Sequence, residues 1–425
     1  MGPTPTPGPH RLRDGVTYAA RELGPMLLVL AIPAALALGL LLSVDWPSQP
    51  GAALAPAPTS APGPYDGFHF EQVGVGVKRL IDDGAGHRPG DRDIIHGPRA
   101  DIVTLEPDGS VLTCCDRPSL IFGNTTHYEL HRLGDSAPAH RWSTTGLDVD
   151  DIEDIAVAPD GTLWAVGGGL ASLDADGWTQ QHRRGENQII EVQEDGTVWA
   201  DISGKSPGIV RIRDGKSRVF SPGNGLPKAT SEWGPRITGI ASTRDGRVWV
   251  GVSATGPKGS GGLLRLDGDG WSIVRPLGRG VSARVEGLAA APDGTLWVYL
   301  SSNAREGASE RRPTSHLARL DGDGWTVFDE ADGVPRHRRR YAHDSGSRTL
   351  MQAGSDGTVW LTPLTNEHCG RLVSFDGDGS SEHLADGGCV RDLDIDADGQ
   401  AWVSVVWAPW DGRDDWSTGL YLVEP

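Results

Sequence analysis

The motif Asp-Gly-x-x-Trp recurs along this chain, and that recurrence constrains the fold more than any other feature. Copies begin as PDGSVLTCC at Pro107, PDGTLWAVGG at Pro159, EDGTVWADIS at Glu194, RDGRVWVGVS at Arg244, PDGTLWVYLS at Pro292, SDGTVWLTPL at Ser355 and ADGQAWVSVV at Ala397. Leu112 replaces the tryptophan in the first copy. The turn aspartates Asp108, Asp160, Asp195, Asp245, Asp293, Asp356 and Asp398 stand 52, 35, 50, 48, 63 and 42 residues apart. Asp-Gly between short apolar runs is a two-residue hairpin signal. A second strand–turn–strand unit follows, as in GGLASLDADGW, PGIVRIRDGKS, GGLLRLDGDGW, SHLARLDGDGW and GRLVSFDGDGS. Each repeat therefore supplies four short antiparallel strands, the content of one propeller blade.

Seven copies predict an all-β, seven-bladed β-propeller over residues 65–425. The aromatic composition agrees, with 15 Trp against 6 Phe and 6 Tyr, as expected if one Trp position is copied. Trp164, Trp199, Trp249, Trp297, Trp360 and Trp402 occupy that position. Equivalent residues at one place in a repeat are expected to pack between blades rather than to form a ligand cage. The DGDG segments read as tight turns, because a calcium loop needs more oxygens in order and a distal Glu. The last repeat ends on GLYLVEP, its third strand, and Tyr65–Glu71 resembles the fourth-strand segment DGWTVFDE. Residues 67–73 are therefore expected to complete the seventh blade and remove its free edge.

The N-terminal part has a different character. Residues 1–24 form a short tail, 25–45 a transmembrane helix and 46–64 a Pro/Ala-rich linker. Pro25–Val44 carries no charge and, at 1.5 Å per residue, spans about 30 Å, the thickness of a bilayer core. Arg11, Arg13 and Arg21 precede it, and no Lys or Arg follows until Lys78. That asymmetry predicts a single-pass, uncleaved anchor with a cytoplasmic N-terminus and an extracytoplasmic propeller. The net charge of −18 argues against a nucleic-acid partner.

GNGLPKATSEWGPRITGIASTRDGRVWVGVSATGPKGSGGLLRLDGDGW, from Gly223 to Trp271, resembles the two-component regulator propeller repeat, roughly GLP…I…DG.LW.G…GGL.R.DG..W. The resemblance implies an outward-facing sensory propeller. The PDGxLW copies are also similar, more distantly, to the virginiamycin B lyase family. That second likeness implies an alternative function, a lyase or hydrolase acting on a small molecule or sugar with acidic and His side chains and a magnesium ion. The family's WFTE pattern is missing here, and Asp201 is the one acid close behind a repeat Trp.

The connections within and between blades differ sharply in length. The first turn of every repeat is the short xDG turn, and the third is usually DGDG-like. The connections leaving on the other face are long and dissimilar: 74–99, 221–235 and 329–346 between blades, and 253–261, 301–314 and 407–418 within them. Insertions confined to one face mark it as the working face. On it, Trp407, Trp410 and Trp416 stand beside Asp411, a set suited to sugar rings or a cationic partner. Trp233 has the same status, and Arg338, Arg339 and Arg340 offer a place for an anion. Cys369 and Cys389 are placed for a disulfide in an oxidising exterior. Adjacent Cys114 and Cys115 would form either a vicinal disulfide or buried free thiols. No GxSxG, HExxH or GxxxxGK is present, and His337 and His343 have no metal-ligand spacing. The sequence therefore predicts a non-catalytic module that binds a glycan, envelope component or protein, with no cofactor and no metal.

Overall fold

The computed structural model describes residues 69–74, 77–81 and 102–425. Within the last stretch it leaves out 115–126, 134–139, 144–151, 175–176, 184–187, 203–207, 223, 227–235, 254–261, 269, 279–280, 282, 303–313, 323, 338–347, 365–370, 385–388 and 408–416. The chain divides into two units, Met1–Ala61, which lies outside the described residues, and Pro62–Pro425. The expected transmembrane helix and linker lie outside the described residues; among those described, no helix is long and apolar enough to cross a membrane.

The second unit is a seven-bladed propeller. Its innermost strands, taken from blade 1 to blade 7, are Ile102–Leu105, Asp154–Val157, Ile190–Val192, Arg236–Ser242, Ala283–Ala290, Met351–Ala353 and Cys389–Ile395. Each touches the innermost strand of the next blade, and the seventh touches the first, so the ring is closed. Blades 1, 2, 4, 5 and 6 are four-stranded antiparallel meanders. Blade 3 gains a fifth, parallel strand, Gly225–Leu226, alongside Lys216–Pro222. It derives from the GLP motif, and Leu226 is buried in the core between blades 3 and 4.

Closure differs in detail from the sequence expectation. The third strand of blade 7, Ser417–Val423, pairs with Val77–Ile81, and His69–Gly74 pairs outside that as a fifth strand. The N-terminal segment therefore completes the last blade, but as a hairpin whose second arm takes the inner place. Residues 67–73 were expected there from their likeness to a fourth strand. The hairpin instead covers the open edge of blade 7 with two strands in succession.

The xDG turn also has a definite chemistry. In every blade the glycine N–H bonds the carbonyl three residues back, as in Gly109 to Glu106 at 2.9 Å and Gly161 to Ala158 at 2.9 Å. The glycine itself is left-handed, with φ 85° at Gly109 and 84° at Gly161. This is a type I turn followed by a left-handed glycine, a three-residue loop rather than the two-residue loop that Asp-Gly alone suggests. Pro107, Pro159 and Pro292 fit it because proline's fixed φ suits the second position of a type I turn. The aspartate carboxylate then accepts the N–H two residues on, for example Ser110 to Asp108 at 2.9 Å.

The tryptophans pack as expected. Trp199, Trp249, Trp297, Trp360 and Trp402 are at most 2% exposed, and Leu112 fills the equivalent place in blade 1. Each core cluster joins two neighbouring blades; Trp402, Leu420 and Leu422 of blade 7, for instance, meet Val103 and Val111 of blade 1. The arginine of the GLLRLDG segment lies opposite the repeat Trp on the next strand. Arg211, Arg265 and Arg319 sit 5.7, 5.8 and 5.6 Å from the ring centres of Trp199, Trp249 and Trp297, within cation–π reach.

Candidate functional site: the central cavity and the long-connection face

A propeller's innermost strands pair on one side only. Every second N–H and C=O on their other edge points toward the ring axis and needs a partner. In this chain the innermost strands enclose a cavity of about 320 Å³ on that axis.

Four carboxylates take up part of the free edge, and they do so in a regular way. Counted back from the turn aspartate, Asp154 in blade 2 and Asp392 in blade 7 stand six residues before it; Glu191 in blade 3 and Asp394 in blade 7 stand four before it. Asp392 accepts the Val103 N–H at 3.0 Å, and Asp394 accepts the Leu105 N–H at 2.8 Å. Glu191 accepts both the N–H of Ser242 at 2.9 Å and its hydroxyl at 2.5 Å. Asp154 receives the Ile190 N–H. Each carboxylate thus caps the innermost strand of the following blade, one residue further along than its own position. In blades 4 and 5 the same places hold Gly239, Ala241, Gly287 and Ala289. At Gly239 a Cβ would come within 2.5 Å of the Leu288 side chain, so that half of the ring is packed by apolar groups.

Arg348 crosses the axis. It leaves blade 6 and donates to the Asp154 carboxylate at 3.0 Å in blade 2 and to the Gln188 carbonyl in blade 3. In a seven-membered ring those two blades lie opposite blade 6. Asp201 stands behind this contact, only 1% exposed, accepting the N–H groups of Gln188 at 2.7 Å and Ile189 at 2.9 Å. It is a strut for the strand that Arg348 reaches.

Burial shapes the electrostatics. It raises Glu191 to about 7, opposed by the two Ser242 hydrogen bonds and helped by the charge of Asp154. It raises Asp394 to about 6, opposed by the N–H groups of Leu105 and Ile395. Asp154 is also raised by burial, with Arg348 pulling the other way. Asp392 is raised further, by burial and by the nearby Asp154 charge. Burial disfavours the Arg348 cation, but Asp154 and Asp392 outweigh it, and its proton is held more tightly than usual. The cavity therefore holds carboxyl groups that change charge near neutral pH.

A second polar cluster anchors the long connection after blade 5. Glu286, 6% exposed, accepts the Ser301 hydroxyl at 2.5 Å and lies 3.5 Å from Nε2 of His337, itself 2% exposed. The His337 N–H donates to Ser315 at 2.7 Å, and the Tyr299 hydroxyl donates to the Pro335 carbonyl at 2.6 Å. His337 is thus built into the base of the connection. Arg336 of the arginine-rich loop pairs with Glu330.

Of the loop residues expected at the binding face, Trp407 ends the second strand of blade 7. Trp410, Asp411, Trp416, Trp233, Arg338, Arg339 and Arg340 lie outside the described residues, as does Cys369. Cys389 opens the innermost strand of blade 7 and is disulfide-bonded, as is Cys114. The free-thiol alternative for Cys114 is therefore wrong: the thiol is oxidised. The cavity residues escaped the sequence reading. Their signal was an acid in an otherwise apolar strand, as in VRDLDIDADG, visible once the repeats are aligned on the turn aspartate.

No protein-family model and no curated protein matches the chain. Among solved structures, it is similar to a gluconolactonase from Xanthomonas campestris, at 15% identity over 72% of this chain and 95% of that one, with a TM-score of 0.39. It is also similar to an ancestral GH74 enzyme, at 10% identity over 76% and 46% with a TM-score of 0.47. The β-propeller domain of the trilobed protease from Pyrococcus furiosus gives 12%, 72%, 90% and 0.45. At these identities the likeness concerns the fold alone.

Proposed function

We propose that this protein is a membrane-tethered, extracytoplasmic propeller that acts as a non-catalytic binding or sensing module for a glycan, envelope component or protein. The observation that carries the reading is the one-sidedness of the disc. Seven near-identical type I turns trim one face, while the connections that vary in length and sequence leave on the other, with 133–139 of blade 1 as an exception. The cavity carboxylates fit the same reading, because they cap backbone N–H groups of the next blade and so hold the ring. The resemblance to two-component regulator propeller repeats supports a sensory role, and the Pro25–Val44 segment supports the tether.

The second reading, a lyase or hydrolase acting on a small molecule or sugar, is favoured by one feature. Glu191, held near 7, has the proton affinity of a general acid or base working at neutral pH. Comparing the two faces tests the binding module. Full-length protein carrying Trp410→Ala with Arg339→Glu should lose association with isolated envelope polymer in a cosedimentation assay. Protein carrying Arg244→Glu with Arg247→Glu, on the turn face, should keep it. Loss from the turn-face variant alone would overturn the assignment.

A further inference from the structure

Blade 3 breaks a rule that the next two blades keep. In blades 4 and 5 the arginine beside the repeat Trp faces a hydroxyl residue on the outermost strand: Arg265 stands opposite Ser272, and Arg319 opposite Thr326. Two residues on, an aspartate stands opposite a glycine, Asp267 opposite Gly270 and Asp321 opposite Gly324. Asp267 holds Arg265 at 2.8 Å. In blade 3 both places hold cations on both strands. Arg211 stands opposite Arg218, and Arg213 opposite Lys216. Residues directly opposite, and residues two apart on one strand, share a face of the sheet. Four cations therefore line one face of this hairpin. Like charges placed directly opposite destabilise a sheet, and the fold does not require them, since blades 4 and 5 are built without them.

The counter-charge beside them is small. Arg213 lies 3.5 Å from Asp195 and 3.9 Å from Asp214, with all three side chains more than half exposed, and exposed pairs contribute little. Among the described residues Arg211 meets no carboxylate; its guanidinium lies over the rings of Trp199 and Phe220, and that of Arg218 lies 4.7 Å from the Phe220 ring centre. Stacking of this kind holds a guanidinium fork in place. Across the junction, the outer two strands of blade 4 turn Leu264, Leu266, Trp271 and Ile273 toward blade 3, and among their described residues no acid shares that side. Trp271 meets Trp199 and Phe220 edge-on, with ring centres 6.2 and 5.7 Å apart. Ile273 is 41% exposed, an unusual degree for a large apolar side chain here. The rim of this junction thus has a basic wall and an apolar wall.

We propose that the rim between blades 3 and 4 binds an acidic polysaccharide. Carboxylates of the chain meet Arg211, Arg218, Arg213 and Lys216, and the apolar face of a sugar ring lies against Trp271 and Ile273. Guanidinium forks match carboxylates in geometry and charge. The two rungs of cations lie about 6.8 Å apart along the hairpin, so one chain engages both, and the first contact favours the second. A sugar ring has an apolar face to offer Trp271, which a chain of phosphates lacks. The net charge of −18 also repels a densely charged polyphosphate. This surface lies on the blade rim, apart from the loop face assigned above, and stands or falls independently of it.

Isothermal titration calorimetry of the full-length protein with polygalacturonate, a linear polymer of uronic acid, tests the proposal. Saturable binding is expected, roughly tenfold or more tighter than for the same polymer with its carboxylates methyl-esterified. Arg213→Asp with Arg218→Ser gives blade 3 the residues that blade 4 carries at those places. It should keep the parent's thermal melting curve by circular dichroism and weaken binding by roughly tenfold or more. Should that pair lower the melting curve, Lys216→Gln, at an exposed side chain, reads the same site with a loss of roughly threefold. Arg371→Ser, at an exposed cation of blade 6, should leave binding unaltered. Absence of binding, equal affinity for the methyl ester, or tighter binding of inorganic polyphosphate would each overturn the proposal. So would unchanged affinity in the folded blade 3 variants, or an equal loss from Arg371→Ser.

Discussion

Replacing Glu191 by Gln is expected to stabilise the propeller above neutral pH and to change little in acid. The carboxyl group goes from an ordinary value of 4.5 to about 7 on folding, chiefly because burial disfavours its charge. Between those values the folded chain holds a proton that the unfolded chain has lost. Stability contributed by this group is therefore greatest below about 4.5, declines as pH rises, and is fully lost above about 7. A displacement of that size corresponds to roughly 3 kcal/mol. Glutamine keeps an oxygen for the N–H and hydroxyl of Ser242 but carries no charge to desolvate. For a propeller of this size, 3 kcal/mol corresponds to about 4 °C in melting temperature. Scanning calorimetry of both proteins from pH 4 to 8 should show curves that nearly coincide at pH 4 and separate progressively toward pH 8. A constant difference across the range, or a less stable variant at pH 8, would refute the claim that the Glu191 charge is held at a cost.

Other consequences follow from the same geometry. Arg348→Ala leaves Asp154 without its cation and should cost about 3–5 kcal/mol at pH 7 in denaturant unfolding; adding Asp154→Asn should recover a large part of that loss. Deleting residues 69–81 uncovers the Ser417–Val423 edge and should produce aggregates on size-exclusion chromatography that the intact chain does not form. Trp360→Ala empties a fully buried position between blades 6 and 7 and should cost about 3–5 kcal/mol.

The fold was largely legible because a repeat states the same local rule many times. An Asp-Gly turn, a buried Trp and a following arginine strand recur, and each recurrence confirms the others. Two details were less visible. HFEQVGVGVKRLI reads as one extended run, and nothing local says that it folds back so that VKRLI, not HFEQV, lies beside Ser417–Val423. The turn type was hidden by the Asp-Gly pair itself, although the proline before Asp108, Asp160 and Asp293 pointed to a type I turn. The cavity was harder still. Asp154 and Asp392 become conspicuous only when repeats are aligned on the turn aspartate. The Arg348 contacts join residues 194 and 160 positions apart across the ring, and no local spacing encodes that pairing.

The assignment of the working face is tested most directly by photo-crosslinking in intact cells. A photoreactive residue would be placed at Trp410 or Arg339 on the long-connection face, or at Asp160 or Asp293 on the turn face, of the full-length protein. Adducts from the first pair and none from the second are the expected result. Adducts from Asp160 or Asp293 alone would contradict it and place the partner on the trimmed face.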